Sequence, residues 1–297
     1  MSSESDRGVC WRCKAVKDPT WAFCPHCAAR LIDQRNPSPP NPSRDILFLY
    51  DTYSFSWYNR QASMVALYEA IATIDHFYDP RVQEPFHLEV EPPCAQSMLR
   101  AKIFAEYVAQ LEAFGGLCLA LARRNKQSIM WTYLNAEPQD ITQMYDQLST
   151  VGSQPLEKLL KLPPRSKVEK AIASGHTRAI AGLPSEIDLP KMEHVKYDYE
   201  EPSQNIVAVA EIYRKSENVR IYNKIKHIFP MLYGRDWLNP PLDPQYVAFA
   251  IDDAGVFARL PMSEEETVKE MSSAFSVMTT GLELMALYLS LYQLGVL

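Results

Sequence analysis

Glycine is scarce in this 297-residue chain, 10 in all against 22 prolines, and the shortage removes whole classes of chemistry. There is no Gly-x-Gly-x-x-Gly and no Gly-Lys-Ser/Thr, so the sequence lacks the loops whose bare backbone cradles a dinucleotide or a nucleoside triphosphate. Gly-x-Ser-x-Gly and His-Glu-x-x-His are absent too, which leaves no signature of a serine-hydrolase elbow or a zinc protease. Excess positive charge is also missing: 30 basic against 36 acidic residues give a net charge of −6. General coating of nucleic acid is excluded on that balance, and any RNA or DNA contact needs a local basic patch. The most apolar stretch, Met271 to Leu297, carries one charge, Glu283. That charge splits it into runs shorter than the ~18–20 residues that span hydrocarbon, so it reads as a buried bundle helix and not as a membrane anchor.

What remains is an ordinary globular composition, 47% hydrophobic and 22% charged, in a chain long enough for one large domain plus a small module. Of the six cysteines, four cluster as Cys10-x2-Cys13-x10-Cys24-x2-Cys27. Two Cys-x-x-Cys knuckles on a short hairpin bring four thiolates to one tetrahedral ion, each sulfur about 2.3 Å from the metal. Four thiolates leave no open position for water or substrate, so the expected zinc is structural. A module of this size cannot bury enough apolar surface to fold alone, and metal binding supplies its folding free energy. No charged start followed by an apolar signal region is seen, so the thiols are read in a reducing, cytoplasmic setting. Cys94 and Cys118 read as structural thiols.

The run Asn36-Pro37-Ser38-Pro39-Pro40-Asn41-Pro42-Ser43 favours extended polyproline backbone and separates the module from the rest. The expected division is residues 1–33 as the metal module, 34–44 as linker and 45–297 as a helical domain. Within that domain the apolar spacing predicts a helix from Asp45 to about Asp79, with a poor helix-forming stretch at Ser54 to Tyr58, and a loop over 81–93. A long helix from about Ala95 to Arg124 follows, with Gly115-Gly116 as a kink or close-approach point. Residues 135–203 read as an inserted, irregular lobe with short helical pieces at Ile141 to Leu148, Leu156 to Leu162 and Val168 to Ser174. A third long helix spans Gln204 to Phe229, and strands at Tyr246 to Ile251 and Val256 to Leu260 flank a turn as a β-hairpin. Ser263 with Glu266 three residues on opens the last helix with a capping box. The predicted class is mainly α: a helical bundle with a small N-terminal zinc ribbon, one inserted lobe and one β-hairpin.

The segment Phe23-Cys24-Pro25-His26-Cys27-Ala28-Ala29-Arg30-Leu31 resembles the second knuckle of bacterial zinc ribbons, with Ala28 at the usual glycine position. That resemblance, over residues 8–33, implies zinc at Cys10, Cys13, Cys24 and Cys27 and recognition of a protein or nucleic acid through Trp11, Arg12, Lys14, Lys17 and Trp21. A folded appendage whose aromatics merely cover the metal is the plainer alternative.

On the third helix, Arg220, Asn223 and His227 recur at intervals that put them on one face, with Lys224 nearby. Arg and Lys neutralise phosphate, Asn orients, and His exchanges a proton near neutral pH. The run is similar to the Arg…His signature of HEPN-type helical bundles, with Ile221 where catalytic members often carry a polar residue. The resemblance implies either a binding module or a metal-independent ribonuclease of toxin, stress or antiviral type, whose protomers pair across a composite cleft. In the ribonuclease, His227 would act as acid or base and Arg220 would stabilise the pentavalent phosphate. A solvated or packed polar cluster on an amphipathic helix explains the same letters. His76, His87, His176 and His194 show no ligand spacing, and the acid-rich stretch Glu193 to Glu201 reads as a solvated loop. The expected function is an interaction protein whose ribbon engages a protein partner and whose bundle binds a partner, a second protomer or RNA phosphate. The alternatives are the ribonuclease and a structural subunit of a larger assembly.

Overall fold

The computed structural model describes residues 39–74, 92–150, 156–175, 178, 200–214, 219, 221–222, 231–232, 246–250, 257–261 and 263–297. The first helix, α1 (Pro42–Asp51), opens where the polyproline run ends. Pro42 sits where a missing N–H costs nothing. Asn41 caps the helix by accepting from the Arg44 backbone N–H at 3.2 Å, and Asp45 accepts in turn from the Asn41 N–H at 3.3 Å. Asp45 also ties α1 to a distant turn: Ser128 donates its hydroxyl to this carboxylate at 2.6 Å and the Met130 N–H adds a bond at 3.2 Å. Ser128 is itself the N-cap of α4 (Ile129–Leu134), so one buried carboxylate organises two helix starts.

The chain does not break at Ser54 to Tyr58. A π-helical turn, Thr52–Trp57, joins α1 to α2 (Tyr58–Ala72) without leaving helical backbone. The wider turn absorbs the poor helix formers by adding a residue to the turn. It also sets Trp57, 1% exposed, against Gly281, where an added Cβ would lie 2.1 Å from the indole ring. Helix α2 stops at Ala72, short of the expected Asp79, as Thr73 leaves helical geometry with its hydroxyl bonded to the Glu69 carbonyl at 2.9 Å. Such back-bonding competes with helix continuation.

Helix α3 (Pro92–Arg123) is the axis of the bundle. It starts ahead of Ala95 because its two prolines occupy the first turn, where no N–H is needed. Every residue from Phe114 to Leu121 is buried, so this stretch is enclosed on all sides and its small residues admit neighbours closely. Gly115 is a close-approach point and not a kink: an added Cβ there would lie 2.5 Å from Tyr145 and 2.8 Å from Ile141 of α5 (Pro138–Ser149). Tyr145 donates to the Leu111 carbonyl at 2.5 Å and stacks on Tyr213 with centroids 4.2 Å apart. The first part of the expected inserted lobe is thus a core helix, because its Ile141, Met144, Tyr145 and Leu148 form one buried stripe.

Two short helices, α6 (Leu156–Leu159) and α7 (Arg165–Ala173), follow. The turn after α6 holds Lys161 in left-handed backbone (φ 53), and Arg124 secures it by donating to the Leu160 carbonyl at 2.7 Å and to the Lys161 carbonyl. Tyr288 donates to the same Leu160 carbonyl, and its ring lies under the Arg124 guanidinium at 5.3 Å. Helix α8 (Glu200–Arg214) packs on α5 and is pinned by Arg214 to Asp146 at 3.2 Å. Strands β1 (Met231–Leu232), β2 (Tyr246–Ala250) and β3 (Phe257–Pro261) form an antiparallel sheet in that order, with Val247 opposite Leu260. The residues between β2 and β3 lie outside those described.

Helix α9 (Glu264–Gln293) closes the bundle against α3. Ser263 caps it, accepting from the Glu266 N–H at 3.2 Å. It ends at Gly295 in left-handed backbone (φ 68), with the Val296 N–H returning to the Leu291 carbonyl at 3.1 Å, the bond of a Schellman closure. By length and composition α3 and α9 could each cross a membrane, but their most apolar 18-residue stretches are 72% and 61% buried within the fold. Packing in a bundle core accounts for that apolar content. The architecture is a mainly-α bundle with a small sheet.

Candidate functional site

The zinc-ligand candidates Cys10, Cys13, Cys24 and Cys27 and the phosphate-face candidates Arg220, Asn223 and His227 lie outside the described residues, as do the other histidines considered. Cys118 is a fully buried thiol whose pKa is pushed far up by burial, which suits a structural role. Among the described residues, no group of three or more His, Cys, Asp and Glu side chains is disposed to hold a metal ion.

Three residues of the Arg220 run are described: Val219 packs partly buried against the core, and Ile221 and Tyr222 are anchored in it. Ile221 is 5% and Tyr222 8% exposed. Tyr222 hydrogen-bonds to Glu112 of α3, and its pKa is pushed up to about 12, first by burial and then by the negative charges of Glu112 and Glu106. Glu112 also faces Tyr213, whose pKa burial raises and whose hydroxyl bonds to the Thr142 side chain. Arg60 of α2 lies close enough to lower the pKa of both Tyr133 and Tyr222. A seam of tyrosines, carboxylates and one arginine therefore holds this part of the chain against α2 and α3.

A second polar constellation was not singled out in the sequence. Beyond α2, at the start of α9, Tyr68, Ile71, Gln96, Arg100, Glu264 and Thr267 line a cavity of about 210 Å³. Arg100 faces Glu264 and Tyr107 faces Glu270, so α3 and α9 run in the same direction here. The Arg100 Nε is buried without a hydrogen-bond partner, as are the Ser97 Oγ one turn away and the Glu270 Oε2. Burial lowers the Arg100 pKa against the opposing pull of Glu264, and burial raises that of Glu270. The signal was available: Ser97, Arg100, Phe104 and Tyr107 recur at helical spacing, so Arg100 and Ser97 interrupt an apolar stripe. An isolated charge on a helix is nonetheless most often a solvated one, and only the packing of α9 shows otherwise.

Comparison with known protein families, with curated proteins and with solved structures finds no match to this chain. The chemistry is therefore read from the chain's own residues.

Proposed function

We propose that this chain is a two-part interaction protein: an N-terminal zinc ribbon that engages a protein partner, joined by the proline-rich linker to a helical bundle that offers an RNA-phosphate-binding face. The donor set suits the ion. Four thiols in two Cys-x-x-Cys pairs match tetrahedral zinc, and the metal's contribution is to fold the ribbon.

The observation that carries the bundle's role is the burial of Ile221 and Tyr222. At about 100° per residue, Arg220, Asn223 and His227 fall within about 60° of one another and on the side of an ideal helix away from those two anchors. On such an ideal helix the three polar groups would face away from Ile221 and Tyr222, with partly buried Val219 bordering Asn223, an arrangement that favours contact with phosphate over a packed interhelical cluster. Arg220 would neutralise charge, Asn223 would hold an oxygen, and His227 would gain a proton as a phosphate approaches.

Anisotropy of a labelled single-stranded RNA tests this reading. Binding is expected to weaken with salt and to fall at least tenfold in Arg220→Ala with His227→Ala, while helical content persists. Undiminished binding by the double variant contradicts it. RNA cleavage without added metal that vanishes in His227→Ala would move the reading to the ribonuclease, in which the same histidine transfers the proton of the ribose 2′-hydroxyl. The ribbon's role is tested by deleting residues 1–35: loss of a partner complex with the bundle intact is expected, and an unchanged complex contradicts it.

A further inference from the structure

We propose that the cavity between α2, α3 and α9 is a binding site for a small oxyanion, a phosphate or carboxylate group, with Arg100 as its anchor. This site is separate from the Arg220 face and does not depend on it.

The first support is an unpaid electrostatic debt. Arg100 is half-buried on the α3 face that meets α9, yet no ion pair joins it to a carboxylate among the described residues. Its Nε–H is buried and donates to nothing. A buried donor left unpaired costs about 1–3 kcal/mol, and more when the group is charged. One turn earlier the Ser97 hydroxyl, 4% exposed, is in the same condition. Buried polar groups in folded proteins are nearly always bonded, and of these two residues Arg100 is the one that lines the cavity.

The second support is space and lining. A volume of about 210 Å³ is room for several waters or a small polyatomic ion. Gln96 and Tyr68 add an amide and a phenol to the wall, and both can donate. Thr267 cannot, since its hydroxyl already donates to the Ser263 carbonyl at 2.9 Å. The cavity also lies at the N-terminal end of α9, whose first backbone N–H groups favour negative charge. That end is partly compensated by Glu264, Glu265 and Glu266, so the helix terminus assists and the guanidinium does the holding.

The lining also argues for the sign of the ligand. A cation would meet Arg100 at the wall and find one exposed carboxylate, Glu264, as its sole charged partner among the lining residues. An oxyanion meets a bidentate, permanently charged donor. Glu264 then opposes binding, which gives the proposal a signature: removing this negative charge must strengthen the interaction, whereas a merely structural Arg100 to Glu264 attraction predicts no effect on any ligand.

The test follows the arginine Nε–H resonances of the full chain by NMR while inorganic phosphate, and separately acetate, is added at constant ionic strength. The Arg100 signal, assigned through Arg100→Lys, is expected to shift saturably with at least one of the two ions. The two titrations distinguish a phosphate site from a carboxylate site. Glu264→Gln is expected to tighten that binding about two- to fivefold, the worth of one relieved partly exposed charge contact. Arg100→Gln is expected to abolish it in a chain whose circular dichroism is unchanged. Should Arg100→Gln fail to fold, the wild-type and Glu264→Gln titrations still decide. A resonance that stays fixed in both titrations, or affinity that Glu264→Gln leaves unchanged or weakens, overturns the proposal and leaves a cavity holding water only.

Discussion

Replacing Gly281 by alanine puts the packing of the π-helical turn to a quantitative test. In the middle of a helix the substitution is ordinarily favourable, by about 0.8–1 kcal/mol, because alanine loses less backbone freedom. Here an added Cβ would sit 2.1 and 2.2 Å from two atoms of the Trp57 ring, far inside the roughly 3.5–4.0 Å of carbon–carbon contact. Trp57 has little room to withdraw, being 1% exposed and seated in the core. Overpacking of this kind costs about 1–3 kcal/mol, and a rigid bicyclic ring places the expected value near ~3 kcal/mol. At ~2–4 °C per kcal/mol for a domain of this size, the melting temperature should fall by about 6–12 °C. Calorimetry or a urea titration followed by circular dichroism measures it. Trp57→Leu removes the obstacle, so Gly281→Ala in that background should be neutral or stabilising, with a coupling of about 1–3 kcal/mol between the two sites. A rise in melting temperature for Gly281→Ala alone, or the same penalty in both backgrounds, would refute the contact.

Asp45→Ala removes the acceptor for the Asn41 N–H, the Ser128 hydroxyl and the Met130 N–H; two helix starts lose a partner, and a loss of about 3–5 kcal/mol is expected by urea denaturation, with a value under about 1 kcal/mol contradicting the role given to it. Because burial raises the Glu270 pKa above its ordinary 4.5, the native chain holds that proton longer than the unfolded one. Its stabilising contribution is therefore present in acid and is lost as pH rises from that ordinary value through the raised one. Glu270→Gln should flatten the stability profile across that window and be at least as stable as the parent at neutral pH; superimposable profiles would count against a strained carboxylate. Pulse alkylation mapped by mass spectrometry should leave Cys118, fully buried with a raised pKa, unmodified until global unfolding. Labelling at the rate of an exposed thiol would show that the core around Gly115 opens.

Local signals in the sequence carried much of this fold. The Ser263 cap with Glu266, the near approach at Gly115 and the burial of the last helix are all properties of short windows, and each window contains its own cause. What escaped depends on partners far along the chain. The π-turn at Thr52–Trp57 seats an indole against Gly281, far along the chain. Asp45 reads as one more first-turn acid until Ser128, 83 residues on, donates to it. Helix α5 looks like part of an irregular insertion because prolines and glycines surround it, yet its Tyr145 fills the space that Gly115 vacates. Arg100 escaped for a related reason: its spacing with Phe104 and Tyr107 hints at an inward face, but the α9 residues beside it lie far along the chain. The cysteine module is the reverse case, since the zinc proposed for it rests on spacing alone.

Zinc content of the full chain, measured by inductively coupled plasma mass spectrometry after purification without added metal, tests the modular organisation most directly. One zinc per chain is expected, lost in Cys24→Ser with Cys27→Ser while the helical signal of the bundle is retained. A folded chain that carries no metal, and takes none up from a zinc buffer, contradicts it.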